Sequence, residues 1–361
     1  MAKLDLFGKV DDVKTTLRGK FIVPPFSVLD ARQGYWQQRK RRWLGLGIQS
    51  ELGRLNNVLD MSATMVGITD KEERKKWNEQ RRKSPRHKNV KKAFGNCKEW
   101  QGKTNHSGVL HKSSTGKEWG EEYKGGDTWS GSGTSIFDPV LSELMYRWFC
   151  PDGGKILDPF AGGSVRGIVA NLLGYDYTGI ELREEQVIAN VEQGHEILPD
   201  NIPKWLFGDS SDVCSLVGAN QFDFIFSCPP YYNLEVYSDL KGELSSCKNY
   251  KKFLHHYRNI ITRCLSLLKD DRFACFVVSN IRDKKGFYLN FCNDTINAFE
   301  KSGAHFYNEI ILVTAIGSLP IRVGKQFVAG RKIGKTHQNI LVFYKGDPKN
   351  IKKNFLQKVV K

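Results

Sequence analysis

The second part of the chain alternates between two hydrophobic patterns. Short apolar runs bounded by turn residues are typical of buried strands, and apolar positions spaced three and four residues apart are typical of helices. Strands are predicted at KILDPF, DYTGIEL, PKWLFGDS, FDFIFS, RFACFVVS, FYNEIILVTAI and QNILVFYK. Helices are predicted at VLSELMYRWF, SVRGIVANLLG, REEQVIANVEQGHEIL and YKKFLHHYRNIITRCLSLLK, and near residues 287–302.

This order of elements predicts an α/β fold. Strands that alternate with helices form a mostly parallel sheet with helices on both faces. The seven runs predict a seven-stranded sheet, and the last two runs, joined without a predicted helix, predict an antiparallel last strand. Asp138 and Pro139 predict the start of the first helix, as its N-cap and its first helical residue.

A change in composition near residue 130 predicts a domain boundary. Residues 101–134 are rich in Gly, Ser, Thr and Lys, which is typical of a flexible connection. We expect a basic N-terminal extension over residues 1–130, an α/β domain over 131–347 and a basic tail over 348–361. The sequence has neither an apolar run of transmembrane length nor an apolar signal core at its start, so a cytoplasmic protein with no membrane partner is expected.

The positive charge is concentrated in the N-terminal extension. The chain carries a net charge of +16, and residues 1–130 hold 27 Lys and Arg against 15 Asp and Glu, a balance of +12. The remaining 28 basic and 24 acidic residues give only +4. A polyanion such as nucleic acid fits this distribution, because neutralised phosphates release counterions. The alternative is a solvated basic surface or a disordered tail.

Two basic segments are candidates for contact with DNA phosphates. One lies between Trp36 and Trp43, and the other, residues 317–336, has five basic and no acidic residues. The alternatives are a short helix that packs its tryptophans and exposes its charges, and a solvated loop. The candidate residues are Arg39, Arg41, Arg42, Arg322, Lys325, Arg331 and Lys332.

The cysteines predict neither disulfides nor a metal centre. All eight are scattered, no CxxC pair occurs, and several lie in apolar runs, so buried reduced thiols are expected. Cys97, His106 and His111, with His87 upstream, have a spacing that matches no strong zinc pattern. We therefore expect no metal.

Polar residues follow three successive predicted strands. A glycine pair in DPFAGGS lies between a strand and a helix, where the backbone can approach a ligand closely. Glu181 ends the second strand, 23 residues after Asp158, a spacing suited to the hydroxyls of a ribose. Asp209 ends the third strand, where it can accept from an adenine amino group. Since ligands bind at the carboxyl ends of such strands, these residues predict a nucleotide-like ligand.

The stretch SCPPYY follows the apolar run FDFIF. Each proline lacks an N–H and fixes its φ angle, so this corner is stiff and rich in free carbonyl groups. Two tyrosines beside it offer aromatic surface.

Together these motifs resemble a known family. FDPVLSEL, DPFAGGS, GIEL, GDS and CPPYY, over roughly residues 134–345, resemble the S-adenosylmethionine-dependent DNA amino-methyltransferases that modify adenine N6 or cytosine N4. The stretch VPPFSVLDARQGYWQQRKRRW is similar to segments of phage and prophage enzymes. The resemblance implies a Rossmann-like methyltransferase fold, S-adenosylmethionine as cofactor and double-stranded DNA as partner, with restriction-modification as the expected context.

The resemblance also implies residue roles. The implied cofactor-binding residues are Phe137, Asp138, Asp158, Phe160, Ala161, Gly162, Glu181 and Asp209. The implied catalytic residues are Cys228, Pro229, Pro230 and Tyr231. A target amine would donate to the side chain before the prolines and to a backbone carbonyl, while the flipped base stacks on Tyr231.

The corner departs from the family pattern at Cys228, where Asp, Asn or Ser is usual. A thiol is a weak acceptor, so the Pro229 carbonyl would take more of the amine contact. Adenine and cytosine both remain open as the target base. The sequence also leaves open whether the protein is a homodimer and whether it has a partner nuclease. The alternatives are an RNA base methyltransferase, for example one acting on guanine N2, and a catalytically silent nucleic-acid-binding relative.

Overall fold

The computed structural model describes residues 17, 21–49, 137–232, 244, 247, 249–317 and 319–355. The chain divides into two compact units, of which the first comprises Met1–Val58, Ser135–Ile316 and Val323–Lys361. The second comprises Leu59–Thr134 and Gly317–Arg322. The strands and helices of the described residues belong to the first unit, apart from the opening residues of one helix.

Eight strands of the described residues form one sheet, in the order β1-β7-β8-β6-β5-β2-β3-β4. Neighbouring strands are parallel except where β8 pairs with β6 and β7, which confirms the mostly parallel sheet with an antiparallel last strand. The strands are β1 (Val28–Asp30), β2 (Lys155–Asp158), β3 (Asp176–Glu181), β4 (Lys204–Phe207), β5 (Phe222–Ser227), β6 (Leu268–Val278), β7 (His305–Val313) and β8 (His337–Lys345).

The sheet has one strand more than predicted. β1 pairs in parallel with Ile311–Val313 at the outer edge of β7, so part of the N-terminal extension belongs to the sheet. Its three residues are too few to show an alternating pattern, and their partner lies almost the whole chain away. The sequence therefore could not reveal this strand.

Helices of the described residues lie on both faces of the sheet. The prediction that no helix joins the last two strands was wrong, because a helix, α8, lies between β7 and β8. The helices are α1 (Gly34–Leu44), α2 (Pro139–Phe149), α3 (Val165–Leu172), α4 (Glu184–Ile197), α5 (Val213–Val217), α6 (Tyr250–Leu267), α7 (Phe291–Lys301), α8 (Leu319–Gly330) and α9 (Ile351–Asn354). Short 3-10 turns cover Ser210–Asp212 and Pro348–Asn350.

Two hydrophobic layers sandwich the sheet, and β5 shows how one strand serves both. Phe224 and Phe226 pack in the layer that also holds Trp36 and Trp43 of α1. Ile225 packs in the opposite layer with α6 and α7. Because successive side chains of a strand point to opposite faces, a strand covered on both sides has a continuous apolar sequence. FDFIFS is such a run, and all its residues are buried.

The strand order contains a switch point. From β2 the chain proceeds through β3 to β4 on one side, whereas β5 and β6 lie on the other side of β2. The connections after β2 and β5 therefore diverge, and they leave a crevice at the carboxyl ends of these two strands. The turn DPFAGGS follows β2 and the corner SCPPYY follows β5.

Candidate active site

Asp158, the last residue of β2, is fully buried and accepts hydrogen bonds from four groups. One oxygen accepts from the Phe160 N–H at 3.1 Å and from the Ser227 hydroxyl at 2.6 Å. The other accepts from Arg166 Nε at 2.6 Å and from the Tyr177 hydroxyl at 2.8 Å. With all of its lone pairs in use, the carboxylate shapes the turn around it.

Arg166 is a site residue that the sequence analysis missed. It lies in the first turn of α3, almost completely buried, and pairs with Asp158. Its Nη2 donates to the carbonyl oxygens of Phe160 at 2.6 Å and Ala161 at 2.9 Å. Burial opposes the charge, but the neighbouring Asp158 carboxylate outweighs it and raises the pKa of Arg166. The guanidinium therefore fixes the backbone of the glycine turn from beneath.

The glycine turn lies directly against β3. The Ala161 N–H donates to the Ile180 carbonyl at 2.9 Å, and a Cβ on Gly179 would lie 2.8 Å from Ala161 Cβ, so glycine is needed there. Gly162 has a φ of +54°, which favours glycine, and no atom lies within 4 Å of where its Cβ would be. The turn thus has a tightly packed underside and open space above Gly162, which suits the close approach of a ligand.

Glu181 ends β3 beside this turn. Its carboxylate accepts from the Arg183 N–H at 3.0 Å and from Arg183 Nε at 3.3 Å. Burial raises the pKa of the Glu181 carboxyl, although the Arg183 guanidinium and the N–H groups of Arg183 and Gly162 act in the opposite direction. Both hydrogen bonds from Arg183 reach the same oxygen, and the Gly162 N–H brings the carboxylate against the glycine turn.

Asp209 follows β4, where it caps the 3-10 turn by accepting from the Ser211 N–H at 2.8 Å. Two backbone contacts bring it towards the glycine turn. The Gly208 N–H donates to the Glu181 carbonyl at 3.0 Å, and the Ser210 hydroxyl donates to the Pro159 carbonyl. The ends of β2, β3 and β4 are therefore tied together, and the structure brings Asp158, Glu181 and Asp209 to one edge of the sheet.

Phe137 and Asp138 precede α2. The Phe137 ring lies under the Arg166 guanidinium, 4.5 Å from its Cζ, and makes an edge contact with Phe226 at 5.7 Å. Asp138 caps α2 by accepting from the Val140 N–H at 2.9 Å, as predicted. Its other oxygen accepts from Trp36 Nε1 at 3.2 Å. Both carboxylate oxygens of Asp138 therefore serve the fold, whereas Phe137 lies beside the turn through Arg166.

The corner after β5 is held mainly by aromatic packing. Pro229 is buried, and the Sγ of Cys228 lies 3.9 Å from the Tyr231 hydroxyl. The Tyr231 ring is half-buried and makes an edge contact with Phe291 of α7 at 6.1 Å. Tyr232 packs between Tyr250 and Phe253 of α6, with ring centroids 5.5 and 5.6 Å away, which assigns it to the core rather than to a ligand.

The hydrogen bond from Ser227 to Asp158 joins the two halves of the site. Ser227 is the last residue of β5 and is fully buried. Because Cys228 follows it directly, the corner starts from a position set by the carboxylate that also shapes the glycine turn. No local motif signals this link, which forms only because β2 and β5 are neighbours.

The basic residues of α1 separate into two groups. The Arg39 guanidinium forms a bidentate pair with the fully buried Glu143 at 2.6 Å to each oxygen, and Trp43 Nε1 donates to Glu143 at 2.9 Å. This pair engages Nε and Nη2 of Arg39, which stays a predicted phosphate contact, and α1 buries its tryptophans as the alternative described. Arg42 is half-buried, and Arg41 is exposed and remains a predicted contact.

In the second basic segment, the side chain of Arg322 lies outside the described residues, and the prediction for it with it. Lys325, Arg331 and Lys332 are exposed, as a contact with phosphates requires. Arg331 adopts a φ of 51° just after α8 and stacks over the Phe327 ring at 5.2 Å. These three residues remain predicted contacts.

Several predictions fall partly or wholly outside the described residues, among them the weak metal candidate of Cys97, His106 and His111. Within residues 21–49, 137–232, 249–317 and 319–355, no three His, Cys, Asp or Glu side chains gather into a metal-binding group. The seven described cysteines are reduced and not joined in disulfides. In the same part of the chain, no helix has the length and apolar character needed to cross a membrane.

Comparison with known proteins gives one family match. Residues 222–360, which are less than half of the chain, match the DNA methylase family model of the N6/N4 type. This range includes β5, the SCPPYY corner, β6, β7 and β8. No curated protein sequence matches the chain. The match supports methyltransferase chemistry and indicates S-adenosylmethionine as the cofactor.

Solved structures with a similar fold are methyltransferases of several kinds. TrmN from Thermus thermophilus is 14% identical, with a TM-score of 0.40 over 59% of this chain and 51% of its own. The chain thus spans about half the length of TrmN. ChlM from Synechocystis, a magnesium protoporphyrin IX methyltransferase with bound SAM, is 12% identical, with a TM-score of 0.36 over 57% of this chain and 79% of its own. Precorrin-6y C5,15-methyltransferase from Geobacter metallireducens is 12% identical, with a TM-score of 0.37 over 57% and 87%.

Proposed function

We propose that the protein transfers a methyl group from S-adenosylmethionine to the exocyclic amine of an adenine (N6) or cytosine (N4) displaced from duplex DNA. The observation that carries this proposal is the Ser227–Asp158 hydrogen bond at 2.6 Å. It fixes the Pro-Pro-Tyr corner to the glycine turn at the switch point of the sheet. A cofactor site and an amine-holding site would therefore share one rigid frame.

The residues around the glycine turn fit the cofactor. The space above Gly162 admits close approach, and Glu181, at the end of the next strand, is placed to accept from ribose hydroxyls. Asp209 has one oxygen in the Ser211 cap and one left to accept from an adenine amino group. Asp158 acts by shaping the turn through Phe160 and Arg166, since its own oxygens are fully used. When bound, the cofactor supplies an electrophilic methyl group.

The corner after β5 fits the target amine. The Pro229 carbonyl is held by two prolines that leave its orientation fixed before substrate binds. An amine that donates its protons to this carbonyl and to the Cys228 sulfur turns its lone pair towards the cofactor side. The Cys228 thiol is the weaker acceptor. The proton leaves the amine after the methyl group has arrived, so no strong base is required of the corner.

Tyr231 provides the aromatic surface for the displaced base. Its edge contact with Phe291 holds the ring at one angle while part of it stays exposed. Base stacking on an aromatic side chain is worth about 1–3 kcal/mol, which offsets part of the few kcal/mol that base flipping costs.

The experiment is expression in a host that lacks DNA methylation, followed by sequencing that detects modified bases. We expect methylated adenine or cytosine at a defined sequence, and a smaller methylated fraction in a host that expresses the Tyr231→Ala variant. Labelled methyl transfer to purified duplex DNA and to total RNA runs in parallel. Transfer to RNA alone would show that the protein is an RNA methyltransferase. Cofactor binding without any transfer would show that it is a catalytically silent relative.

A further inference from the structure

A hairpin after β6 presents cations and aromatic rings at the same edge of the sheet as the site. Its stem pairs Arg282 with Tyr288, and the Leu289 N–H donates to the Ile281 carbonyl at 2.9 Å. Gly286, with a φ of +97°, and Asp283, whose carboxylate accepts from the Phe287 N–H at 2.8 Å, close the turn. The tip has a defined shape set by its own hydrogen bonds.

The hairpin surface consists of Arg282, Lys284, Lys285, Phe287, Tyr288 and Lys332. Phe287 is 71% exposed and Tyr288 is 50% exposed, which is unusual for two neighbouring aromatic residues. The Arg282 guanidinium stacks on the Tyr288 ring at 4.0 Å and donates to the Gly286 carbonyl at 2.8 Å. Arg282 therefore stiffens the hairpin and leaves Phe287 as its projecting ring.

Positive charge surrounds this ring. Lys284 and Lys285 are exposed at the tip, and the one acidic residue of the turn, Asp283, is engaged in it. Lys332, which follows α8, lies against the hairpin, since a Cβ on Gly286 would be 2.9 Å from its Nζ. Exposed aromatic rings among cations form the kind of surface that contacts bases and phosphates together.

The hairpin is anchored beside the catalytic corner. β6 is the parallel neighbour of β5, with Ser227 opposite Phe276, and the hairpin begins five residues after Phe276, at Ile281. Its far end leads into Phe291, whose ring contacts Tyr231 at 6.1 Å. A stem of three residues is about 10 Å long, at ~3.3 Å per residue. This length is roughly the height of three stacked base pairs in duplex DNA. The tip is thus within reach of DNA whose target base lies on Tyr231.

We propose that Phe287 enters the DNA base stack beside the displaced base, while Lys284 and Lys285 neutralise the adjacent phosphates. Apolar wedges such as Phe are known to separate base steps, and the unstacking they cause lowers the cost of extruding a base. This inference rests on the proposed function, because a wedge is needed only if the substrate is a base displaced from duplex DNA. The hairpin itself takes no part in the methyl-transfer chemistry.

Two pairs of variants test the inference. Lys284→Ala/Lys285→Ala is compared with Lys352→Ala/Lys353→Ala, an equally exposed adjacent pair on α9. α9 lies near the start of β6, where Asn350 donates to Asp271 at 2.8 Å, so this pair is at the opposite edge of the sheet. Phe287→Ala is compared with Phe26→Ala, which is 61% exposed and precedes β1, also away from the site.

Duplex DNA binding is measured at several salt concentrations. The slope of log K against log salt is negative, and each lost phosphate contact makes it less steep by about 0.9. The Lys284→Ala/Lys285→Ala variant should therefore reduce its steepness by about 1.8, and the Lys352→Ala/Lys353→Ala variant should leave it unchanged. Methylation is then measured on a matched duplex and on one whose target base is mispaired. Phe287→Ala should lower methylation of the matched duplex about tenfold or more and affect the mispaired duplex far less, because that base is already loosened.

The outcomes separate the two proposals. Equal salt slopes for the two lysine pairs, together with equal methylation by Phe287→Ala and Phe26→Ala, would overturn the role of the hairpin while the proposed function stands. Failure of the wild-type protein to methylate any DNA, with cofactor binding intact, would overturn the proposed function and this inference with it. Loss on matched and mispaired duplexes alike would show that Phe287 is a general binding contact and not a wedge, which also overturns the inference.

Discussion

The turn after β2 and the corner after β5 lie side by side, yet opposite kinds of interaction hold them. The β2 turn is built around a buried ion pair, Asp158 with Arg166, and a closed set of hydrogen bonds. The β5 corner relies on two prolines and on the packing of Tyr231 and Tyr232 against aromatic residues. A hydrogen bond from Ser227 to Asp158 links the two sides.

This difference reflects what each side has to hold. A polar cofactor needs donors and acceptors at fixed positions, and a buried, fully bonded network keeps them there. A flat base needs aromatic surface and one or two acceptors, which the stiff corner offers. Changes to the β2 turn should therefore affect stability and cofactor binding, whereas changes to the corner should affect methyl transfer alone.

The largest effect is expected from Asp158→Ala. It leaves the charge of Arg166 buried without its partner, which typically destabilises a protein by about 3–5 kcal/mol. Cofactor binding and methylation should be lost with it. Urea unfolding and calorimetry measure the two effects. In the matched double variant Asp158→Asn/Arg166→Met, which removes both charges, we expect much of the stability back but not the cofactor binding. Full activity of Asp158→Ala would contradict the role given to the turn.

Glu181→Gln should separate binding from stability. Hydrogen bonds to a charged group are worth about 1.5–3 kcal/mol, so cofactor affinity should fall by about one to two powers of ten. Burial raises the pKa of this carboxyl, so the folded protein keeps it protonated to a higher pH than the unfolded chain does. Its contribution to stability is then greatest at low pH and is lost as the pH rises through the raised pKa.

The pH dependence provides the check on Glu181. Above the raised pKa, where the carboxylate is charged and desolvated, Glu181→Gln should be as stable as the wild type or more stable. Cofactor affinity of the wild type should weaken as the pH falls through the raised pKa, and Glu181→Gln should show no such change. Calorimetric titration across pH measures it, and the same pH dependence in both proteins would show that Glu181 does not hold the cofactor.

Tyr231→Ala should leave stability and cofactor binding almost unchanged and lower methyl transfer by about ten- to a hundredfold, because stacking worth about 1–3 kcal/mol is lost. Tyr231→Phe keeps the ring and should retain most of the activity. Single-turnover methylation with saturating cofactor measures both. If Tyr231→Ala weakened cofactor binding as strongly as Glu181→Gln does, the division between the two sides would be wrong.

The smallest effect is expected from Ser227→Ala, which removes the link and leaves three of the four donors to Asp158 in place. We expect a loss of roughly 1 kcal/mol in unfolding free energy. A double-mutant cycle with Tyr231→Ala, read out as methyl transfer, tests the connection. Additive effects would show that the corner keeps its position without the hydrogen bond.

Much of the site followed from local sequence. Apolar runs located the seven long strands, and the residues that follow them had to meet at one edge because parallel strands share their direction. The acids Glu181 and Asp209 and the glycine turn were found this way. The N-cap role of Asp138 was predicted from its own neighbours, Pro139 above all.

Other parts depended on contacts far apart in the sequence. Arg39 and Arg41 lie two residues apart on one helix, and only the position of Glu143, 104 residues after Arg39, makes one an internal ion pair and leaves the other exposed. Arg166 gave no signal, since an arginine is rarely buried unless a partner is already in place. The strand β1 was missed because its pairing partner supplies the pattern that its three residues lack.

By itself, the sequence determined the α/β alternation, the positions of the strand ends and the stiff corner, because each depends on residues close together in the chain. The tertiary structure alone decided which charges are buried, that Ser227 joins the corner to the glycine turn, and that Phe287 projects from a basic hairpin beside Tyr231. The physical reason is that hydrogen bonds and burial depend on neighbours brought together by strand order, and adjacent strands such as β2 and β5 are separated by more than sixty residues.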